Sequence, residues 1–234
     1  MPKIKQSVLK KPCIAVGTIS TPGGLEYLTS PQVESDLIEV RVDSLRAAGM
    51  EVRQIKAKLR KRRHPTLLTL RTMVEGGRYP WKSTERILVF EELIPFCDAV
   101  DLEIKNMKYV KPLLQIARDT NKRVILSTHS LERKLTKGKA ERLVENFRTY
   151  RVDVYKLASL ARTREDLMVL VEVLIQYPQL RLGMMATGPM AQLSRVVLPA
   201  LGSKLVYGYI DQPAAPEQPS IAGIKASLST CGVI

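Results

Sequence analysis

The sequence predicts an α/β protein that folds as a single (β/α)8 TIM barrel over residues 1–234. Short apolar runs of strand length alternate with amphipathic runs from one end of the chain to the other. Such alternation implies parallel strands joined by right-handed crossovers. Eight of these units in 234 residues fit a closed barrel better than an open doubly wound sheet. No linker or internal repeat divides the chain, and no G-x-G-x-x-G or Walker-type loop indicates a nucleotide fold.

The strand predictions rest on apolar runs, and the helix predictions on residues that recur at helical spacing. Leu167, Leu170, Val171 and Leu174 illustrate the helical spacing. The connection after the first strand, residues 21–30, is short for a barrel helix. The predicted strands, in order, are 12–19, 37–43, 66–71, 98–104, 123–129, 152–158, 181–187 and 204–210.

Composition excludes several classes of protein. With 45% hydrophobic and 26% charged residues, the chain is neither disordered nor fibrous. Its three cysteines share no short spacing, which favours a reducing compartment over a disulfide scaffold or a metal cage. No apolar stretch approaches the roughly 18 residues of a membrane span. We therefore expect a cytoplasmic protein without a membrane partner.

The formal net charge of +14 would attract polyanions. The densest basic run, residues 56–63, lies on a predicted amphipathic helix, which favours a solvated helix face. One Trp, eight Tyr and three Phe do not form the interleaved aromatic and basic pattern of a base-stacking surface. We expect a small-molecule substrate and no nucleic acid, and polyanion binding remains an alternative class of function.

Charged residues alternate with apolar ones on several predicted strands. Glu39, Arg41 and Asp43 share one face of the second strand, while Arg71 and Asp101 occupy similar positions on the third and fourth. Alternate residues of a barrel strand point inward, and the carboxyl ends of the strands form the active site. Buried charges must be paired or functional, so the pattern indicates either an internal ion-pair network or a polar site.

Two strands carry groups suited to catalysis. Lys156 shares a face with Val154, and His129 ends an apolar strand on the face of Ile125. Burial lowers a lysine pKa and yields a nucleophilic amine, although a salt-bridged or snorkelling strand end explains Lys156 equally well. A histidine at a strand end can serve as a general acid and base. A single histidine there builds neither a zinc site nor, without a G-x-S-x-G elbow, a serine triad.

The chain resembles the type I 3-dehydroquinate dehydratases over nearly its whole length. The motifs that carry this resemblance, in order, are E-V-R-V-D (39–43), L-R-T-M-V-E-G-G (70–77), D-L-E-I (101–104), S-T-H (127–129), Y-K-L-A (155–158), G-P-M-A-Q-L-S-R (188–195) with G-S-K-L-V-Y (202–207), and A-A-P-E-Q (214–218). Each motif is weakly specific alone, but their common order is not expected by chance.

The resemblance implies dehydration of 3-dehydroquinate to 3-dehydroshikimate in the shikimate pathway, without a metal or an organic cofactor. Lys156 would form an imine with the ring ketone, and His129 would move the protons. Glu75 would orient the imidazole, with Asp101 behind it.

The same resemblance implies the substrate contacts and a homodimer. Arg195 would bind the substrate carboxylate with a planar bidentate donor. Glu39, Arg41 and Arg71 would bind hydroxyls, and Gln218 would close the site from the last loop.

Some positions depart from the family pattern. Ala191 replaces a glycine, and Ala214 and Glu217 replace a serine and a glycine. After the histidine, Ser130 stands where Asp or Asn is usual, and Leu131 where Phe is common. These departures affect loop closure and substrate affinity rather than the chemistry. The alternatives are another Schiff-base barrel, such as a class I aldolase or transaldolase, and a basic relative without activity.

Overall fold

The computed structural model describes residues 11–214 and 217–234, where eight parallel strands form a nearly closed barrel. Neighbours in the sheet follow the order β7-β6-β5-β4-β3-β2-β1-β8. Between β8 and β7, the backbone N–H of Lys204 donates to Leu182 O at 2.7 Å. The strands are β1 (Ile14–Ile19), β2 (Leu37–Arg41), β3 (Thr66–Thr69), β4 (Ala99–Glu103), β5 (Arg123–Ser130), β6 (Val154–Leu160), β7 (Leu182–Thr187) and β8 (Leu205–Tyr209). The predicted barrel is confirmed.

Helices cover the outside of the barrel in the connections between strands. The α-helices are α1 (Val42–Ala47), α2 (Val52–Arg60), α3 (Ser83–Leu93), α4 (Met107–Asp119), α5 (Lys137–Arg148), α6 (Arg164–Gln176), α7 (Ala191–Ala200) and α8 (Ile221–Thr230). After β1 the chain forms a 3-10 helix over Gly23–Leu28, so the short first connection is also confirmed. Among the described residues, no helix is both long and apolar enough to cross a bilayer.

Two predicted strands end two residues earlier than expected. The predicted strand 37–43 ends at Arg41, because α1 begins at Val42. Asp43 therefore lies in the first turn of α1, where its carboxylate accepts the backbone N–H groups of Arg71 and Arg78. The predicted strand 66–71 likewise ends at Thr69. At the end of β2 the chain thus leaves the sheet where the Asp43 carboxylate binds the backbone of the adjoining loops.

The barrel interior is layered. Its lower layer is apolar and includes Leu37, Leu67, Ala99, Ile125 and Val154. Two residues further along the same strands, the layer becomes polar, with Glu39, Thr69, Asp101, Ser127 and Lys156, all buried. Period-two alternation keeps both layers on the inner face. The charged side chains therefore lie above an apolar layer, toward the carboxyl ends of the strands.

The helical part of the basic run follows the predicted pattern, whereas Arg62, beyond the end of α2, is buried and pairs with Asp98 at 3.2 Å. Ile55 and Leu59 are buried in the core, while Lys56, Lys58 and Arg60 remain at least partly accessible. Lys56 pairs with Glu92 at 3.1 Å. The cations of this helix therefore lie on the outside of the barrel, remote from the polar layer.

Candidate active site

A cavity opens at the carboxyl ends of the strands. The predicted site residues that line it are Glu39, Arg41, Arg71, Glu75, His129, Lys156, Arg195 and Gln218. Asp101 lies beneath them, in contact with Lys156. Within residues 11–214 and 217–234, no group of three His, Cys, Asp or Glu side chains is placed to hold a metal ion.

Lys156 is a buried amine between a carboxylate and an aromatic ring. Its Nζ donates to Asp101 Oδ2 at 3.2 Å and lies 3.9 Å from the ring centroid of Tyr207. Burial, helped by the positive charge of Arg71, lowers the pKa of Lys156 although Asp101 and Glu39 oppose the shift. The salt bridge that the sequence left as an alternative is present. A fall in the pKa raises the fraction of neutral, nucleophilic amine at a given pH.

His129 is paired with Glu75, which is 54 residues away in the chain. Its Nδ1 lies 2.8 Å from Glu75 Oε2, so Nε2 is the ring nitrogen left for chemistry. Burial, together with the positive charges of Arg71 and Lys156, holds the pKa of His129 well below its usual value. Neutral imidazole is the form that accepts a proton. The pair therefore has the composition of a general base with its orienting carboxylate.

Glu75 is itself perturbed. Burial and the negative charge of Glu103 raise its pKa to about 7, while Arg71 and Lys105 act in the opposite direction. An ionised carboxylate at this position accepts a hydrogen bond from Nδ1–H, whereas a carboxylic acid would donate a hydrogen bond to Nδ1. The ionisation of Glu75 thus decides which tautomer His129 adopts.

Arg71 joins the carboxylates of this layer into a network. Its guanidinium contacts Asp101 at 3.0 Å, Glu103 at 3.2 Å and Ser127 Oγ at 3.0 Å. Burial alone would raise the pKa of Asp101, but Arg71 and Lys156 outweigh it and hold that pKa well below its usual range. Arg71 lines the cavity, yet most of its donors serve protein carboxylates.

Glu39 and Arg41 are held from within the barrel. Glu39 accepts hydrogen bonds from Thr18 at 2.9 Å and Thr69 at 2.8 Å. Arg41 forms a bidentate pair with Asp43, through Nε at 2.9 Å and Nη2 at 2.8 Å. The end of β2 and the first turn of α1 therefore supply both an ion pair and part of the polar cavity wall.

Arg195 is a buried cation bound to neutral oxygens. Its Nε donates to Tyr207 O at 3.0 Å, and its Nη1 donates to Ala186 O and Ser194 Oγ, both at 2.8 Å. No carboxylate among the described residues contributes to its electrostatic environment, where burial is the one cause of a pKa shift. Burial lowers its pKa to about 10, still far above neutrality. A lone guanidinium at the cavity wall is suited to a carboxylate ligand.

The last loop reaches the rim of the cavity. Gln218 Oε1 accepts the backbone N–H of Ala214 at 2.7 Å, and Glu217 is exposed at the rim. Residues 215 and 216 of the A-A-P-E-Q motif lie outside the described residues. Arg78 Nη2 contacts Ala214 O at 3.5 Å from the opposite loop.

Sequence reasoning gave no individual role to two residues that the structure brings to the site. Tyr207 lies within the G-S-K-L-V-Y motif, and its alternation with Leu205 on β8 marks it as inward-facing. Lys105 follows β4 in a 3-10 turn, and no spacing rule in the sequence relates it to Glu75.

The sequence and the fold can both be compared with known proteins. The chain is 30% identical over 197 residues to the 3-dehydroquinate dehydratase of Methanocaldococcus jannaschii, covering 82% of this chain and 85% of that protein. It is 29% identical to the Archaeoglobus fulgidus protein of the same name, covering 93% and 98% of the two chains. The 3-dehydroquinate dehydratase structure from Geobacillus kaustophilus superposes with a TM-score of 0.84 at 22% identity, covering 95% and 91%. The model of the type I 3-dehydroquinase family matches residues 13–234, and the chain belongs to this family.

Proposed function

We propose that this protein dehydrates 3-dehydroquinate to 3-dehydroshikimate through an imine on Lys156. The reaction, a hydro-lyase step of the shikimate pathway, follows from membership of the family and from its named relatives. The observation that carries the residue roles is a buried Lys156 whose cavity also holds the His129–Glu75 pair and the carboxylate-free Arg195. The nucleophile, the base and the anion-binding residue therefore line the same cavity.

Imine formation begins with the neutral amine of Lys156. Its nitrogen attacks the ring ketone, and loss of water leaves a protonated imine. The imine withdraws electrons from the neighbouring carbon and acidifies its C–H bond. Asp101 and the face of Tyr207 lie beside Nζ, so the positive charge of the imine has a carboxylate and a ring face to stabilise it.

The β-hydroxyl is then eliminated from the imine. His129 Nε2 takes the proton, and the C–H electron pair moves into an enamine. The enamine then expels the β-hydroxyl, which leaves as water with the proton carried by His129. Addition of water to the imine releases the product and restores Lys156, so the net change is the loss of one water molecule. Glu75 stabilises the imidazolium between the two proton transfers.

Substrate binding uses the remaining wall of the cavity. Arg195 binds the carboxylate, and Glu39 and Arg41 bind ring hydroxyls from positions fixed by Thr18, Thr69 and Asp43. Because Arg71 is committed to Asp101 and Glu103, its contribution is chiefly to hold these carboxylates. Gln218 closes the rim of the site from the last loop.

Reductive trapping tests the proposal. Borohydride added with 3-dehydroquinate should reduce the imine and attach the substrate skeleton to Lys156, as peptide mass spectrometry would locate. Lys156→Met should abolish both labelling and turnover, whereas Lys134→Met, at an exposed lysine paired with Asp166, should change neither. Labelling at another lysine, or dehydration without any labelling, would contradict the assigned nucleophile.

The family resemblance also leads us to propose a homodimer that works in the cytoplasm. All three cysteines are free thiols, Cys13 and Cys97 being buried and Cys231 exposed, which supports a reducing compartment. Sedimentation equilibrium at several protein concentrations would test the dimer, and a single monomer mass would refute it.

A further inference from the structure

Lys105 lies beside the Glu75–His129 pair and has no role in the steps above. It belongs to the 3-10 turn Ile104–Asn106, which follows β4 directly. Its Nζ donates to the backbone oxygen of His129 at 2.7 Å and lies 3.4 Å from Glu75 Oε1. That carboxylate oxygen accepts no hydrogen bond from the described residues. One ammonium group therefore contacts both members of the pair.

The charges that face Glu75 come from the ends of two strands, β3 and β4, and oppose one another. Arg71, after β3, places Nη1 3.9 Å from Glu75 Oε2 but is shared with Asp101 and Glu103. Those two carboxylates, on β4, disfavour a further negative charge, as burial also does. Lys105 is thus the cation adjoining Oε1, on the side of Glu75 away from the imidazole.

We propose that Lys105 is a positioning residue that keeps Glu75 ionised and thereby holds His129 in the tautomer that leaves Nε2 free to accept a proton. The inference rests on the proposed function only in that the proton accepted by Nε2 is the one removed from the substrate. An ionised Glu75 accepts from Nδ1–H, so the lone pair is on Nε2. A protonated Glu75 donates to Nδ1, so Nε2 carries the hydrogen and cannot act as a base.

The expected effect is modest, because the Lys105 side chain is 47% exposed and solvent screens its charge. Loss of that charge should move the ionisation of Glu75 to higher pH by about 0.5 to 1 pH unit. The acid limb of the kcat profile should move by the same amount. Well below the limb, this shift corresponds to a loss of about 3- to 10-fold in kcat, and above the limb kcat should be unchanged.

The experiment compares Lys105→Met and Lys105→Arg with the wild type, and uses kcat at saturating 3-dehydroquinate between pH 5 and 9. A saturating substrate concentration is used because the Lys156 amine no longer titrates once it has formed the imine. Lys122→Met is the matched control. Lys122 also donates to a backbone oxygen, Cys97 O at 2.8 Å, but it precedes β5 and lies at the opposite end of the barrel. Lys105→Arg and Lys122→Met should keep the wild-type midpoint, whereas Lys105→Met should not.

A second readout needs no turnover. The chain has two histidines, so 15N-histidine labelling gives two imidazoles whose nitrogen shifts report the tautomer at each pH. In Lys105→Met the change of His129 tautomer should occur at higher pH than in the wild type. The proposal would be overturned if the wild type and Lys105→Met had the same midpoint in both measurements. It would also be overturned if Lys105→Met lost the same fraction of kcat at every pH, or if the profile of Lys105→Arg resembled that of Lys105→Met. Failure of borohydride trapping at Lys156 would instead contradict the proposed function and leave the tautomer measurement to decide on Lys105.

Discussion

Replacing Glu75 with glutamine should stabilise the protein at alkaline pH while impairing its catalysis. The Glu75 side chain is fully enclosed, and burial with Glu103 nearby raises its pKa from 4.5 to about 7. Between these values the native protein keeps a proton that the unfolded chain releases. Stability contributed by this group is therefore present at acid pH and is lost as pH rises through the window. Glutamine has no such transition.

The size of the effect follows from the displacement of the pKa. One pKa unit corresponds to about 1.4 kcal/mol, so the ionised Glu75 costs about 3 kcal/mol above pH 7. The difference in unfolding free energy between Glu75→Gln and the wild type should be small at pH 5 and grow toward that value at pH 8. Catalysis should fall by roughly tenfold or more, because an amide does not stabilise the imidazolium as a carboxylate does.

Urea denaturation at pH 5, 6, 7 and 8 would measure this difference. The control is Glu91→Gln at an exposed position, whose effect on stability should not change over this range. A pH-independent difference for Glu75→Gln would refute the reasoning, as would a variant less stable than the wild type at pH 8. Either result would mean that Glu75 is ionised at little cost in the folded protein.

Three other predictions concern the cavity wall. His129→Ala should lower kcat by about 10²- to 10⁴-fold yet still allow borohydride trapping at Lys156, and near-normal turnover would show that another group moves the proton. Arg195→Met should raise KM about 10- to 100-fold, the worth of a charged hydrogen bond to a carboxylate, and an unchanged KM in steady-state kinetics would remove Arg195 from the anion site. Ala214→Ser combined with Glu217→Gly should lower KM several-fold at low salt, because it adds a hydroxyl and removes an exposed charge from the rim; an equal or higher KM would mean that this loop closes in another way.

Local patterns in the sequence were sufficient for the architecture. Strand residues such as Val154, Lys156 and Ala158 alternate with a period of two, so their inward direction followed from sequence alone. The apolar runs located all eight strands but not their ends. The backbone leaves β2 after Arg41 because Asp43 is needed by the loop N–H groups of Arg71 and Arg78, and those loops lie 28 and 35 residues further on.

Sequence by itself determined the barrel, its inward residues and, through the order of the motifs, the set of side chains at the carboxyl ends of the strands. The resemblance already implied that Glu75 orients His129, but only the tertiary structure decided the other pairings: Glu75 with Lys105, and Asp101 with Lys156 and Arg71. It also decided the directions of their pKa shifts. The physical reason is that pairing and desolvation depend on distances between residues far apart in the chain, and a period of two or 3.6 carries no information about such distances.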